Sequence, residues 1–270
     1  MERSTGVTGV LPHRNVSLLQ REPIFNVPAV VVGLLVILAA IHFARVYLLT
    51  PSQDELMLGL MAFDPIRYEP SILPGGILPG GFGAEVWTFF TYTLIHASWL
   101  HYGVNAIWLL PFGSAMARRF GPWRFMAFFA VTGAAGALAH LIAYAGQNAP
   151  VIGASAAISG TMAGAMRFAF QPGGPLHFLR TGEDVDFRVP ALPLTKVFRD
   201  PRVLLFLGVW FGINFVFGAT SLPVGSGLDS GGVVAWQAHI GGFLAGLILF
   251  SWFDPAPESP RLDDFGATRH

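Results

Sequence analysis

The chain has no cysteine among its 270 residues, which excludes disulfides, a thiolate nucleophile and a zinc site built on thiolates. It is also poor in charge. Only 12% of its residues are charged, about half the share of a soluble domain. The charges cancel to a formal net of zero, so nothing suggests a nucleic-acid partner. What remains is apolar, with 53% hydrophobic residues and a mean hydropathy of +0.56. That is the composition of a multi-pass membrane protein.

About 20 apolar residues rising 1.5 Å each span a hydrocarbon core of roughly 30 Å. Six stretches qualify: 28–49, 86–113, 123–145, 151–170, 202–220 and 233–253. The short alternating strands of a membrane barrel are absent, so the expected class is all-α. The expected organisation is an N-terminal tail 1–27, a six-helix membrane domain 28–253 and a C-terminal tail 254–270. Within the domain, 51–85 forms an outward loop rich in Pro and Gly, and 171–200 a flexible inner linker. With the amino terminus in the cytoplasm, Arg118, Arg119, Arg124, Arg167, Lys196 and the tail arginines fall on or near the inner side, and only Arg45 and Arg67 fall outward. The positive-inside rule favours that orientation, with both ends inside. Localisation in a bacterial inner membrane is the corresponding expectation.

Polar side chains at membrane depth are functional suspects. Ser155 opens the fourth stretch, His239 falls about two turns into the sixth, and His101 and Asn105 lie in the middle of the second. In this topology these three segments run from outside to inside, which brings the four residues to one depth. Serine becomes a nucleophile when a neutral imidazole takes its proton, so Ser155 and His239 can form a dyad. Their expected separation is about 2.6–3.5 Å. No Asp or Glu falls within a span, which leaves no carboxylate for a third member. His101 and Asn105, at i and i+4, share a helix face, and both can donate hydrogen bonds to an oxyanion. The first-turn N–H groups at Ser155 and Ala156 lack intrahelical acceptors and can add to them. Small residues also have a structural reading. Gly160 to Gly164 and Gly242 to Gly246 are GxxxG pairs that suit close helix packing, and His96 and His140 are assigned structural roles.

His96-Ala-Ser-Trp-Leu-His-Tyr-Gly-Val-Asn105 with Trp108 and Gly113, then Arg119-Phe-Gly121, then Gly153 to Ser155, then Ala238-His-Ile-Gly-Gly242 resemble the rhomboid family of intramembrane serine proteases. The resemblance covers about 86–253. It implies a six-helix rhomboid fold with Ser155 as nucleophile, His239 as general base, and His101 and Asn105 as oxyanion ligands. It also implies membrane-helix substrates cut near the outer face, no metal or organic cofactor, and lipid as the surrounding partner. The chain departs from the family pattern at three positions. Ala156 stands where glycine is usual, and its methyl is expected between the fourth and sixth helices, accommodated by Gly241 or Gly242. Ala117 stands where a carboxylate is frequent, and Ser159 where an aromatic ring is frequent. The rival reading is a catalytically silent relative that binds and escorts or retains membrane helices. No paired charges, interrupted helix pair or repeat marks a solute pathway.

Overall fold

The computed structural model describes residues 27–69, 71, 78–172, 174–175, 187–219 and 235–255. Nearly all of both expected tails, the Pro/Gly stretch 72–77 and part of the inner linker lie outside these residues. The order of helices is α1 (Ala29–Tyr47), α2 (Pro51–Met61), α3 (Gly81–Thr91), α4 (Trp99–Trp108), α5 (Ser114–Phe120), α6 (Pro122–Ala143), α7 (Ser155–Ala165), α8 (Leu194–Val197), α9 (Pro201–Ala219) and α10 (Trp236–Phe253). Among the described residues the only strand-like pairing is one antiparallel bridge, Phe63 with Val151.

Helices α1, α6 and α10 are long and apolar enough to cross a membrane, and Pro201–Val216 is a shorter apolar stretch. Exposed Val36, Ile142, Leu205, Phe215 and Ile248 on these helices form the apolar exterior that lipid covers. Helix α7 is different. Its eleven residues reach only about 16 Å, and Ala156 through Ala165 are all buried. Protein surrounds it, and irregular turns complete the expected stretch 151–170.

The second expected span does not run as drawn. The apolar run 86–113 breaks at Ile95–Ser98, and the helix that follows starts at Trp99, where Ser98 Oγ accepts from His101 N at 3.1 Å. Such an N-cap satisfies one of the donors a helix start leaves free. From there the chain stays helical to Phe120, with one wide turn at Leu109–Gly113 that takes up Pro111, a residue without an N–H for a regular turn.

The described part of the segment expected to form the outward loop is folded. Arg45 pairs with Asp54 at 2.6 and 3.0 Å and donates to His96 O at 2.9 Å, which neutralises one of the two arginines expected to face outward. The two terminal nitrogens of Arg67 donate to the carbonyls of Pro79 and Gly59. Asp64 accepts from Ile66 N and Ala149 N at 3.3 and 3.2 Å. Burial lifts its carboxyl above the ordinary range, against the pull of those two donors. Together with the Phe63–Val151 bridge, this ties the outer loop to the segment leading into α7.

Glycine sets the spacing of α6, α7 and α10. A Cβ on Gly242 would lie 2.0 Å from Ala156 O, and one on Gly246 would lie 2.2 Å from Gly160 O. The i, i+4 glycines of α10 therefore admit the α7 backbone at a distance that no side chain permits. Gly164 of the other GxxxG pair meets Met116 and Phe128 instead.

At the C-terminal end of α10, Arg119 makes a two-pronged bond to Asp254 at 2.8 and 2.7 Å and donates to Phe187 O and Val189 O, both at 2.8 Å. Leu192 pairs through its backbone with Arg167. Residues 187, 189 and 192 of the segment expected to form the linker are thus held against the helices. Asp254 supplies a carboxylate at this end of the helices, where Ala117 has none. The Arg119 side chain is fully buried, and removing one partner of a buried pair leaves the other uncompensated. Arg119→Ala is therefore expected to cost about 3–5 kcal/mol. Thermal unfolding of the purified protein checks this, and an unchanged midpoint would deny the bridge a structural role.

Candidate active site

Three helix starts carry the site. Ser155 is the first residue of α7, His101 the third of α4 and His239 the fourth of α10. His101 and His239 therefore sit in first turns, nearer their helix ends than the apolar runs imply. The positive ends of three helix dipoles lie with them.

Ser155 Oγ lies 2.7 Å from His239 Nε2, inside the expected range. His101 lies close by, next to Gly153. A Cβ built on Gly153 would lie 2.7 Å from His101 Cε1 and Nε2 and 3.8 Å from Ser155 Oγ. Gly153 has φ +120°, a conformation that favours glycine, so both space and backbone require glycine two residues before the serine. His101 Nδ1 accepts from Ala97 N at 3.3 Å. A neutral ring with an accepting Nδ1 carries its proton on Nε2, which makes the nitrogen beside Gly153 a donor.

Asn105 is buried, and its amide donates to His101 O at 3.0 Å. One amide N–H is thus committed to the helix backbone, and the group keeps a second. In the first turn of α7, Ile158 N is bonded to Ala154 O at 2.9 Å. The N–H groups of residues 155 to 157 precede that bond and have no acceptor within the helix. The segment before them is held in place by Gly153 N donating to Tyr92 O at 2.9 Å.

Asn214 is the residue that the sequence reading missed. It lies on α9, is buried, and its Oδ1 forms a short hydrogen bond with His239 Nδ1. The lone amide in Trp210-Phe-Gly-Ile-Asn214 was the available signal, since a polar group in an apolar run at membrane depth marks function by default.

The three departures resolve in different ways. The Ala156 methyl faces α6, where a Cβ on Gly136 would lie 2.5 Å from it, while α10 meets the Ala156 carbonyl at Gly242. Gly136 is thus the accommodating residue, and neither Gly241 nor Gly242 plays that part. Ser159 donates to Ser155 O at 2.7 Å, one turn back in its own helix, and so secures the helix carrying the nucleophile candidate. Ala117 is simply buried. His96 is fully buried, with its ring edge-on to Tyr102, and His140 donates from Nε2 to Ala149 O at 2.8 Å.

No curated protein matches the chain. The family model for the Rhomboid domain matches residues 83–254, more than half of the chain, and the match takes in His101, Asn105, Ser155, Asn214 and His239. With described residues that are mostly helical, three helices among them long and apolar enough to cross a membrane, and a Rhomboid-domain match over residues 83–254, the chain belongs to the rhomboid family.

Proposed function

We propose that the protein is an intramembrane serine endopeptidase that cuts transmembrane segments of other proteins near the outer face. The observation that carries this reading is the 2.7 Å contact between Ser155 Oγ and His239 Nε2. In the reaction, Nε2 takes the hydroxyl proton as Oγ bonds to the scissile carbonyl carbon. His101 Nε2–H, the second N–H of Asn105 and the first-turn N–H groups of α7 receive the developing oxyanion. Collapse breaks the C–N bond, the imidazolium returns its proton to the leaving amine, and water activated by the same ring hydrolyses the acyl ester. Serine and histidine supply nucleophile and base between them, so the chemistry requires no metal or cofactor.

In this reading the chain crosses a bacterial inner membrane six times within 28–253, with both tails in the cytoplasm. Its substrates are membrane helices presented through the lipid. A fluorophosphonate reagent, which needs an activated serine, tests the assignment on the purified protein. Labelling mapped to Ser155 and lost in His239→Ala is the expected result. A protein that resists the reagent yet retains membrane helices in a pull-down would be the silent escort instead.

A further inference from the structure

We infer that Asn214 is a positioning residue for His239, holding the imidazole in the tautomer that leaves Nε2 free to take the Ser155 proton. The inference rests on the proposed hydrolase reading and follows from the direction of three linked hydrogen bonds. Asn214 Nδ2 donates to Trp210 O at 2.8 Å. A carbonyl can only accept, so this bond fixes which end of the amide is nitrogen and turns Oδ1 toward His239. Oδ1 also can only accept, so His239 Nδ1 carries the proton. A neutral imidazole has one N–H, hence Nε2 is bare. Ser155 Oγ, 2.7 Å away, must then be the donor to it. Every proton in the chain is placed by its first link, the α9 backbone carbonyl.

The amide has a rigid seat. One turn from Asn214 on α9, Trp210 stacks on Phe243 with ring centroids 5.1 Å apart and planes 25° from parallel. Phe243 lies one turn beyond His239 on α10. The two helices therefore meet at two matched rungs, an aromatic pair and the amide–imidazole pair. When the ring is protonated during the reaction, Oδ1 faces the cation with its negative end. A buried carboxylate is not needed for that, consistent with the absence of Asp and Glu from these apolar segments.

The test uses the full chain reconstituted in lipid with one membrane-helix substrate, comparing the unmodified protein with Asn214→Ala, Asn214→Leu, Asn214→Asp and Ser155→Ala. Enforcing the wrong tautomer in a serine hydrolase costs about 10⁴ in kcat, and losing the acceptor leaves the right one still accessible, so Asn214→Ala and Asn214→Leu should lose about 10²–10³. KM should stay within about threefold, because a group acting through the base contributes to the transition state and not to ground-state binding. Asn214→Asp should recover most of the rate, since a carboxyl offers an accepting oxygen whether ionised or not. A loss confined to thermal stability, or equal rates for the Asp and Leu variants, would overturn the inference. If Asn214→Ala does not fold, the Leu and Asp pair decides alone. Cleavage by the unmodified protein, none by Ser155→Ala and full cleavage by Asn214→Leu would remove only the role of Asn214. No cleavage by the unmodified protein, or full cleavage by Ser155→Ala, would remove the hydrolase reading and this role with it.

Discussion

Ser155→Ala is expected to bring cleavage of a reconstituted membrane helix down to background, and His239→Ala to do nearly the same. A serine hydroxyl is a weak nucleophile without a base, and the base has no covalent route without the hydroxyl. Residues that act as such a unit fail together: losing either costs about 10⁶ in kcat, and the double variant costs little more. The oxyanion donors fail differently. Asn105→Ala and His101→Ala each remove one contribution among several and should slow the reaction by ~10²–10³ while leaving it measurable. Ser155 is only half-buried and its hydroxyl makes a single side-chain hydrogen bond, so the alanine variant should lose only about 1 kcal/mol of stability and remain testable. Initial rates on one substrate check the series. Undiminished turnover by Ser155→Ala would require a different nucleophile and end the assignment.

Much of the helical layout is legible in hydropathy. The stretches 28–49, 123–145 and 233–253 fall close to α1, α6 and α10, because each is a long apolar run with a sharp polar or glycine boundary. Runs that stay apolar through a break are not legible in this way. Ile95–Ser98 interrupts 86–113 without becoming polar enough to register, and only the Ser98 cap marks where α4 begins. Helix α7 is shorter than its apolar stretch, since hydropathy cannot distinguish burial in protein from burial in lipid. Ser155, His239 and His101 stand out in the sequence as polar groups in apolar runs, and the structure brings Ser155 to His239 and His101 to Gly153. Asn214 is not legible in this way, because the expected third group is a carboxylate, whereas the partner of His239 Nδ1 is an amide. The family match over 83–254 reinforces the helical core and leaves the chemistry to experiment.

Gly242→Ala should sharply slow the proposed cleavage without touching either reacting group. Gly242 lies three residues beyond His239 on α10, and a Cβ there would sit 2.0 Å from Ala156 O and 3.3 Å from Ala156 Cα. The obstacle is the backbone of the residue that follows Ser155, so no side-chain rotation relieves it. α10 must instead move away from α7 by about 1 Å or more, and a displacement of ~1 Å at a reacting pair can cost 10² in rate. The expected result is a loss of at least about 10² in kcat, with fluorophosphonate labelling slowed in parallel. Ala156→Gly is the control. Its methyl points to Gly136 of α6 and not into the α7–α10 contact, so its removal should leave the rate within about threefold, the separation between His239 and Ser155 being unchanged. For the same reason Ala156→Gly should not rescue Gly242→Ala, because the clash is with a carbonyl that both residues at position 156 possess. A rescue, or a tenfold gain from Ala156→Gly alone, would mean that the methyl and not the backbone sets the distance between α7 and α10.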